Sequence, residues 1–166
     1  GSGAGLLPAY VGDATTGFPV PPWIASDARS LWISSQPNGI DDPETDYIYT
    51  IEFNLEESPL IGEYALIGRW SGDDTAKGVA INGTAMAWTT AGFNAWSAFP
   101  PAAGKGLFVA GPNTVQFIIN NGTGGGPAPA INPTGLRVEA CVGLEPAEKR
   151  EIDISTGFDE VTRAPL

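Results

Sequence analysis

Apolar and polar side chains alternate along most of this chain. In residues 47–55, YIYTIEFNL, one side carries Tyr47, Tyr49, Ile51, Phe53 and Leu55, and the other carries Ile48, Thr50, Glu52 and Asn54. A period of two predicts an antiparallel strand with one buried face. VQFIIN, residues 115–120, repeats the pattern with Val115, Phe117 and Ile119. From Gly62 to Thr84 the chain reads GEYALIGRWSGDDTAKGVAINGT. Tyr64, Leu66 and Gly68 alternate with Ala65, Ile67 and Arg69 as far as Trp70, and apolar residues resume at Val79 and Ile81. This stretch is read as strand, turn and strand, with SGDDTAKG as the turn, and as the ribbon on which the other elements pair and pack. INGT is a strand running into a turn at Asn82-Gly83.

Shorter strands are expected at residues 9–11, 31–35 (LWISS), 107–109 and 134–142, and around Met86 and Trp88. Between them lie segments of turn formers, QPNGIDDPETD and NGTGGGPAPAINP, and a proline-stiffened piece, FPVPPW, whose aromatics wedge a loop against the core. No useful length shows helical periodicity. About eight strands at short spacing predict an all-β chain, an antiparallel β-sandwich of jelly-roll type with an extra C-terminal strand. The sandwich is expected to occupy residues 1–142 and a polar linker residues 143–150. The tail, 151–166, is expected to pair with its own or a neighbouring sandwich. In EIDISTGF, Ile152 and Ile154 share one face and Asp153 and Ser155 the other, and the strand runs on through Thr156, Gly157 and Phe158.

Composition narrows the function. The 166 residues fit one domain plus a tail, and the formal net charge of -11 argues against a nucleic-acid partner, which needs a basic patch. No apolar run is long enough for membrane insertion. Charged residues are only 16%, which suits a secreted or cell-surface module. The absence of histidine removes His-based acid–base catalysis, serine–histidine triads and most zinc sites. The single cysteine, Cys141 in VEACVGL, excludes an intrachain disulfide and reads as a small buried hydrophobe.

Two groups of residues carry candidate chemistry. Asp41, Asp42, Glu44 and Asp46 could gather Ca²⁺, although their spacing is not that of an EF-hand. Trp70, Asp73, Asp74 and Trp96, with Trp88 and Asn94, offer the aromatics and hydrogen-bonding groups that bind sugars. Each also has a plain reading: the indoles of Trp70 and Trp88 as core, and Asp73-Asp74 as a turn. Trp96, between polar loop residues, is expected to be the most exposed aromatic. As sequence neighbours, Asp73 and Asp74 are expected to point to opposite faces, so no catalytic carboxylate pair is identified and no enzyme is expected.

The order YIYTIEFNL, ALIGRWSGDDTAKGVAINGT, FNAWSAFP, LFVAGPNTVQFIINN and NPTGLRVEA resembles jelly-roll, galactose-binding-like modules of secreted bacterial surface proteins, including PEP-CTERM-anchored and repeat-bearing ones. The resemblance covers residues 9–140. Those modules usually carry an Asp-Asn pair after the Trp, where this chain has Asp73 and Asp74. In them, a segment like DISTGFD opens the domain; here Asp153 to Asp159 places it at the C-terminus. The chain therefore resembles a module rotated by one strand. The tail is expected to fold back on its own sheet, to be donated to another copy, or to begin a further repeat. The resemblance implies a non-catalytic extracellular structural subunit that self-assembles head to tail into a filament or surface layer by strand donation. Its partners would be other copies of itself; carbohydrate binding, with glycans as partners, is the alternative.

Overall fold

The computed structural model describes residues 8–12, 15, 17–19, 21–37, 42–122 and 132–145, and the backbone of 151–153. Ten strands are described: β1 (Tyr10–Val11), β2 (Ile33–Ser34), β3 (Asp46–Leu55), β4 (Ala65–Asp73), β5 (Thr75–Ile81), β6 (Thr84–Met86), β7 (Ser97–Ala98), β8 (Gly111–Asn120), β9 (Gly135–Gly143) and β10 (Glu151–Asp153). A 3₁₀ turn spans Ile61–Glu63. One sheet runs β1-β2-β9-β4-β7 with β10 added on β9, and the other runs β3-β8-β5-β6.

The antiparallel pairs are nested: β2 with β9, β3 with β8, β4 with β7, and β5 with β6. The first half of the chain thus pairs with the second in reverse order, like one long hairpin rolled up into two sheets. This is a jelly-roll sandwich. The hairpin folds at Asn82 and Gly83, whose φ values are 48° and 81°. Positive φ at both central positions is the hairpin turn that Asn-Gly favours, because its twist matches that of the flanking strands.

The ribbon expected over 62–84 does not form as one hairpin. β4 and β5 lie in different sheets. The residues read as a hairpin turn continue β4 to Asp73, and the chain then crosses to the other sheet at Asp74. Both strands are apolar because each faces the same core from its own sheet. Residues 107–109, expected as a strand, form no strand; Phe108 packs there as a loop side chain.

The core lies between the sheets. Leu66, Trp70, Leu136, Val138 and Val142 meet Ile51, Val79, Val115, Phe117 and Ile119, all nearly fully buried. Trp70 lies 5.4 Å from Phe117 and 6.0 Å from Phe99, ring centre to ring centre. The face predicted for residues 47–55 holds, with Tyr49, Ile51 and Leu55 buried. The rolled ribbon is pinned at its fold. Asn82 Nδ2 donates to Leu107 O and Asn113 Oδ1, each at 2.8 Å, and Thr114 N donates to Asn82 Oδ1 at 2.8 Å. Asn82→Ala removes three bonds and forces a β-carbon-bearing residue without a polar side chain into the left-handed region. We expect it to cost about 1–2 kcal/mol in urea unfolding. An unchanged midpoint would show that the turn does not hold the ribbon.

Candidate functional site

The terminal strand joins the sandwich at an edge. Glu151, Ile152 and Asp153 pair antiparallel with Gly143, Val142 and Cys141. On their other side, the same β9 residues pair with Ala65, Leu66 and Ile67 of β4. β10 therefore lies on the edge of β9 that β2 meets at Leu136. Gly143, expected to open the linker, closes β9 instead. Of the predicted terminal strand, Ile154, Ser155, Thr156, Gly157 and Phe158 lie outside the described residues, as do positions 146–150 of the linker. Cys141 is half-buried rather than buried, because Ala140 and Val142 take the inward positions of β9 and leave it on the outer face.

That outer face carries a second layer. Ile33 and Leu136 point into the main core, so Trp32 and Gly135 point out, and Phe18, Trp23 and Trp32 form a separate buried cluster there. Trp23 lies 5.1 Å from Phe18 and 4.4 Å from Trp32, ring centre to ring centre. The FPVPPW segment thus does wedge a loop against the sandwich, and Trp32 Nε1 ties it down by donating to Ile24 O at 2.6 Å.

Beside this cluster lies Arg137, which the sequence reading did not single out. It is 1% exposed. Its Nε donates to Ser30 Oγ at 2.8 Å and its Nη1 donates to Ala25 O. Nη2 lies 3.2 Å from Asp27 and 3.5 Å from Glu139, and Glu139 also pairs with Arg69 at 2.6 Å. Burial lowers the Arg137 pKa, and Asp27 and Glu139 oppose that. The indole of Trp96 packs on both guanidinium groups, 4.4 Å from Arg69 and 4.8 Å from Arg137. A lone Arg in the alternating TGLRVEA gave no signal of this, because its partners other than Glu139 come from residues 25–30 and from Trp96.

The candidate sugar residues do not share one surface. Trp70 is 1% exposed and is a core residue, because β4 turns it inward with Leu66. Trp88 sits at the core margin, edge-on to Phe99 at 6.0 Å. Asn94 is exposed. Trp96 is half-buried rather than the most exposed aromatic, because the two arginines take it as a packing partner. Asp73 is 3% exposed, and Asp74, half-buried, accepts from Gly122 N at 2.9 Å. Their carboxyl groups do not diverge as expected but lie within hydrogen-bond reach of each other. Burial first, then the Asp74 charge and the shared hydrogen bond, pushes the Asp73 pKa up to about 8, against a smaller opposing pull from Trp23.

The calcium set of the 41–46 loop is not gathered. Asp42 is buried, with Ser34 donating to one carboxylate oxygen at 3.2 Å and Ser35 to the other. Asp46 is exposed and pairs with Lys77 at 2.7 Å, which, with Asn120, holds its carboxyl below the usual range. Glu44 is exposed, and Asp41 lies outside the described residues. The serines and Lys77 occupy the oxygens that a cation would need. No group of three or more His, Cys, Asp or Glu side chains placed to hold a metal occurs among the described residues. Among those residues, too, no helix is long and apolar enough to cross a membrane. In comparisons with known proteins, the chain matches no family model, no curated protein and no solved structure.

Proposed function

We propose that the chain is a non-catalytic, extracellular structural subunit that assembles with further copies of itself by donating its C-terminal strand. The observation that carries this reading is the pairing of Glu151–Asp153 along the outer edge of β9. Main-chain hydrogen bonds supply the affinity in strand addition, and an edge that takes this segment from its own chain offers the same bonds to an identical segment from a neighbour. In such an exchange residues 144–150 would connect the donated strand to its own sandwich. A donated strand makes a head-to-tail contact, and a head-to-tail contact that does not close builds a filament or layer. An unfilled strand edge is also an assembly liability that a donated strand removes. The carbohydrate alternative has less support, since Trp70 and Asp73 are buried and Trp96 is stacked on arginines.

The test compares the intact chain with one ending at Gly143, by light scattering after size exclusion and by negative-stain imaging. The intact chain is expected to form concentration-dependent multimers and the truncated one to remain monomeric. Shortening the 144–150 connection, so that the segment cannot reach its own β9, is expected to drive the equilibrium towards multimers. Equal assembly with and without the tail would refute strand donation, and so would a monomeric intact chain at high concentration.

A further inference from the structure

The corner where the chain passes from one sheet to the other holds two carboxyl groups that no cation among the described residues pairs with. The geometry points to a site for a hard divalent cation, calcium by chemical class, built on Asp73 and Asp74. Asp73 is 3% exposed, and its Oδ1 is buried without a hydrogen-bond donor. Its main-chain oxygen is already taken by Thr134 Oγ1, which fixes the backbone; Trp23 and Asp74 reach the carboxyl group, but its Oδ1 is left without a donor. Asp74 is held through Oδ2 by the N–H of Gly122 at 2.9 Å.

One residue before that contact stands Asn121, 1% exposed. Its Nδ2 donates to the carbonyls of Asp42 at 2.8 Å, Asn132 at 3.3 Å and Pro43 at 3.4 Å. Those bonds hold the amide, and its Oδ1 remains buried with no donor. A buried acceptor without a donor is costly and needs an explanation in each case. This end of the sandwich has two of them, Asp73 Oδ1 and Asn121 Oδ1.

The ion pairs among the described residues engage Asp27, Asp46, Glu139 and, with Lys105, Glu63; none reaches Asp73 or Asp74. Two adjacent carboxylates share their site with either a proton or a metal ion. Oxygen donors with neither thiolate nor imidazole favour a hard cation over zinc or copper. Calcium accepts an irregular set of carboxylate and amide oxygens completed by water, whereas magnesium demands a near-ideal octahedron. The half-buried Asp74 leaves a side on which water can complete the shell.

The test uses the full chain, stripped with EDTA and desalted. Adding 5 mM CaCl₂ (roughly saturating for a site of tens of micromolar affinity) is expected to raise the melting temperature by about 5 °C. Asp73→Asn and Asp74→Asn, both near-isosteric, are each expected to lose the shift, while Glu44→Gln retains it. Terbium supplies a second readout. Trp23 lies against Asp73, so indole excitation is expected to give sensitised terbium emission that calcium quenches and that Asp74→Asn lacks. The proposal is overturned if calcium leaves the unfolding of the stripped protein unchanged. It is equally overturned if the shift survives in both aspartate variants, which would put the cation elsewhere on this acidic surface.

Discussion

Asp73→Asn is expected to make EDTA-stripped protein more stable at pH 8 than the parent, while leaving the two alike near pH 4. The sign follows from where the proton sits. The Asp73 carboxyl keeps its proton in the fold up to about pH 8, against an ordinary carboxyl value of 3.8 in the unfolded chain. Between those values the folded state binds one more proton than the unfolded state, so stability falls as pH rises. The slope is at most about 1.4 kcal/mol per pH unit, and over the window the loss amounts to a few kcal/mol. Asparagine fills the same volume, has nothing to ionise and can donate to the Asp74 carboxylate. Urea unfolding of both proteins at pH 4, 6 and 8 measures the effect. A variant whose stability falls as steeply as the parent's would show that another group carries the titration. Asp27 and Asp46 are not candidates, because their pKa values are lowered and their contributions are lost as pH falls, not as it rises.

Arg137→Met is expected to cost about 3–5 kcal/mol, the range for breaking a buried ion pair from one side. The methionine keeps much of the side-chain length but returns none of the bonds. It leaves Ser30 Oγ and the carbonyl of Ala25 without their donor, and Glu139 with Arg69 as its remaining ion-pair partner. The damage should concentrate in the outer layer, since Ser30, Asp27 and Trp96 are tied to the sheet through this guanidinium. Hydrogen exchange is therefore expected to accelerate first at residues 23–32 and 89–98, before β3 and β8. A uniform loss across both sheets would place Arg137 in the main core's cooperative unit instead. Leaving the layer unaffected would mean that the aromatic cluster of Phe18, Trp23 and Trp32 holds it alone.

The strands that were legible share one property: they bury one face and expose the other. Residues 47–55 and 115–120 alternate cleanly because β3 and β8 each have the core on one side. The Asn82-Gly83 turn was legible for a local reason, since two consecutive positive φ angles demand those residue types. β4 and β5 were legible as strands but not as strands of different sheets. An extended chain that crosses a sandwich looks, residue by residue, like one that reverses. The Arg137 network was not legible, because every partner but Glu139 is distant in the chain, Ser30 by 107 residues. The candidate sugar residues failed as a set for a related reason. Spacing places Trp70 and Asp73 close together along the strand, but inward and outward positions alternate, so one fills the core and the other lies beneath Trp23.

Alternation and turn chemistry by themselves determined that this chain is all-β, where most strands run, which of their faces are buried, and that a further strand follows Val142. These properties are local: a side chain's direction repeats every second residue whatever the strand pairs with. Only the tertiary structure decided that the pairs nest around Asn82-Gly83, that β10 takes the outer edge of β9, and that Asp73 and Asn121 each bury an oxygen without a donor. Those outcomes depend on which distant backbones exchange hydrogen bonds and on which charges are cut off from water. Neither is encoded in the order of neighbouring residues.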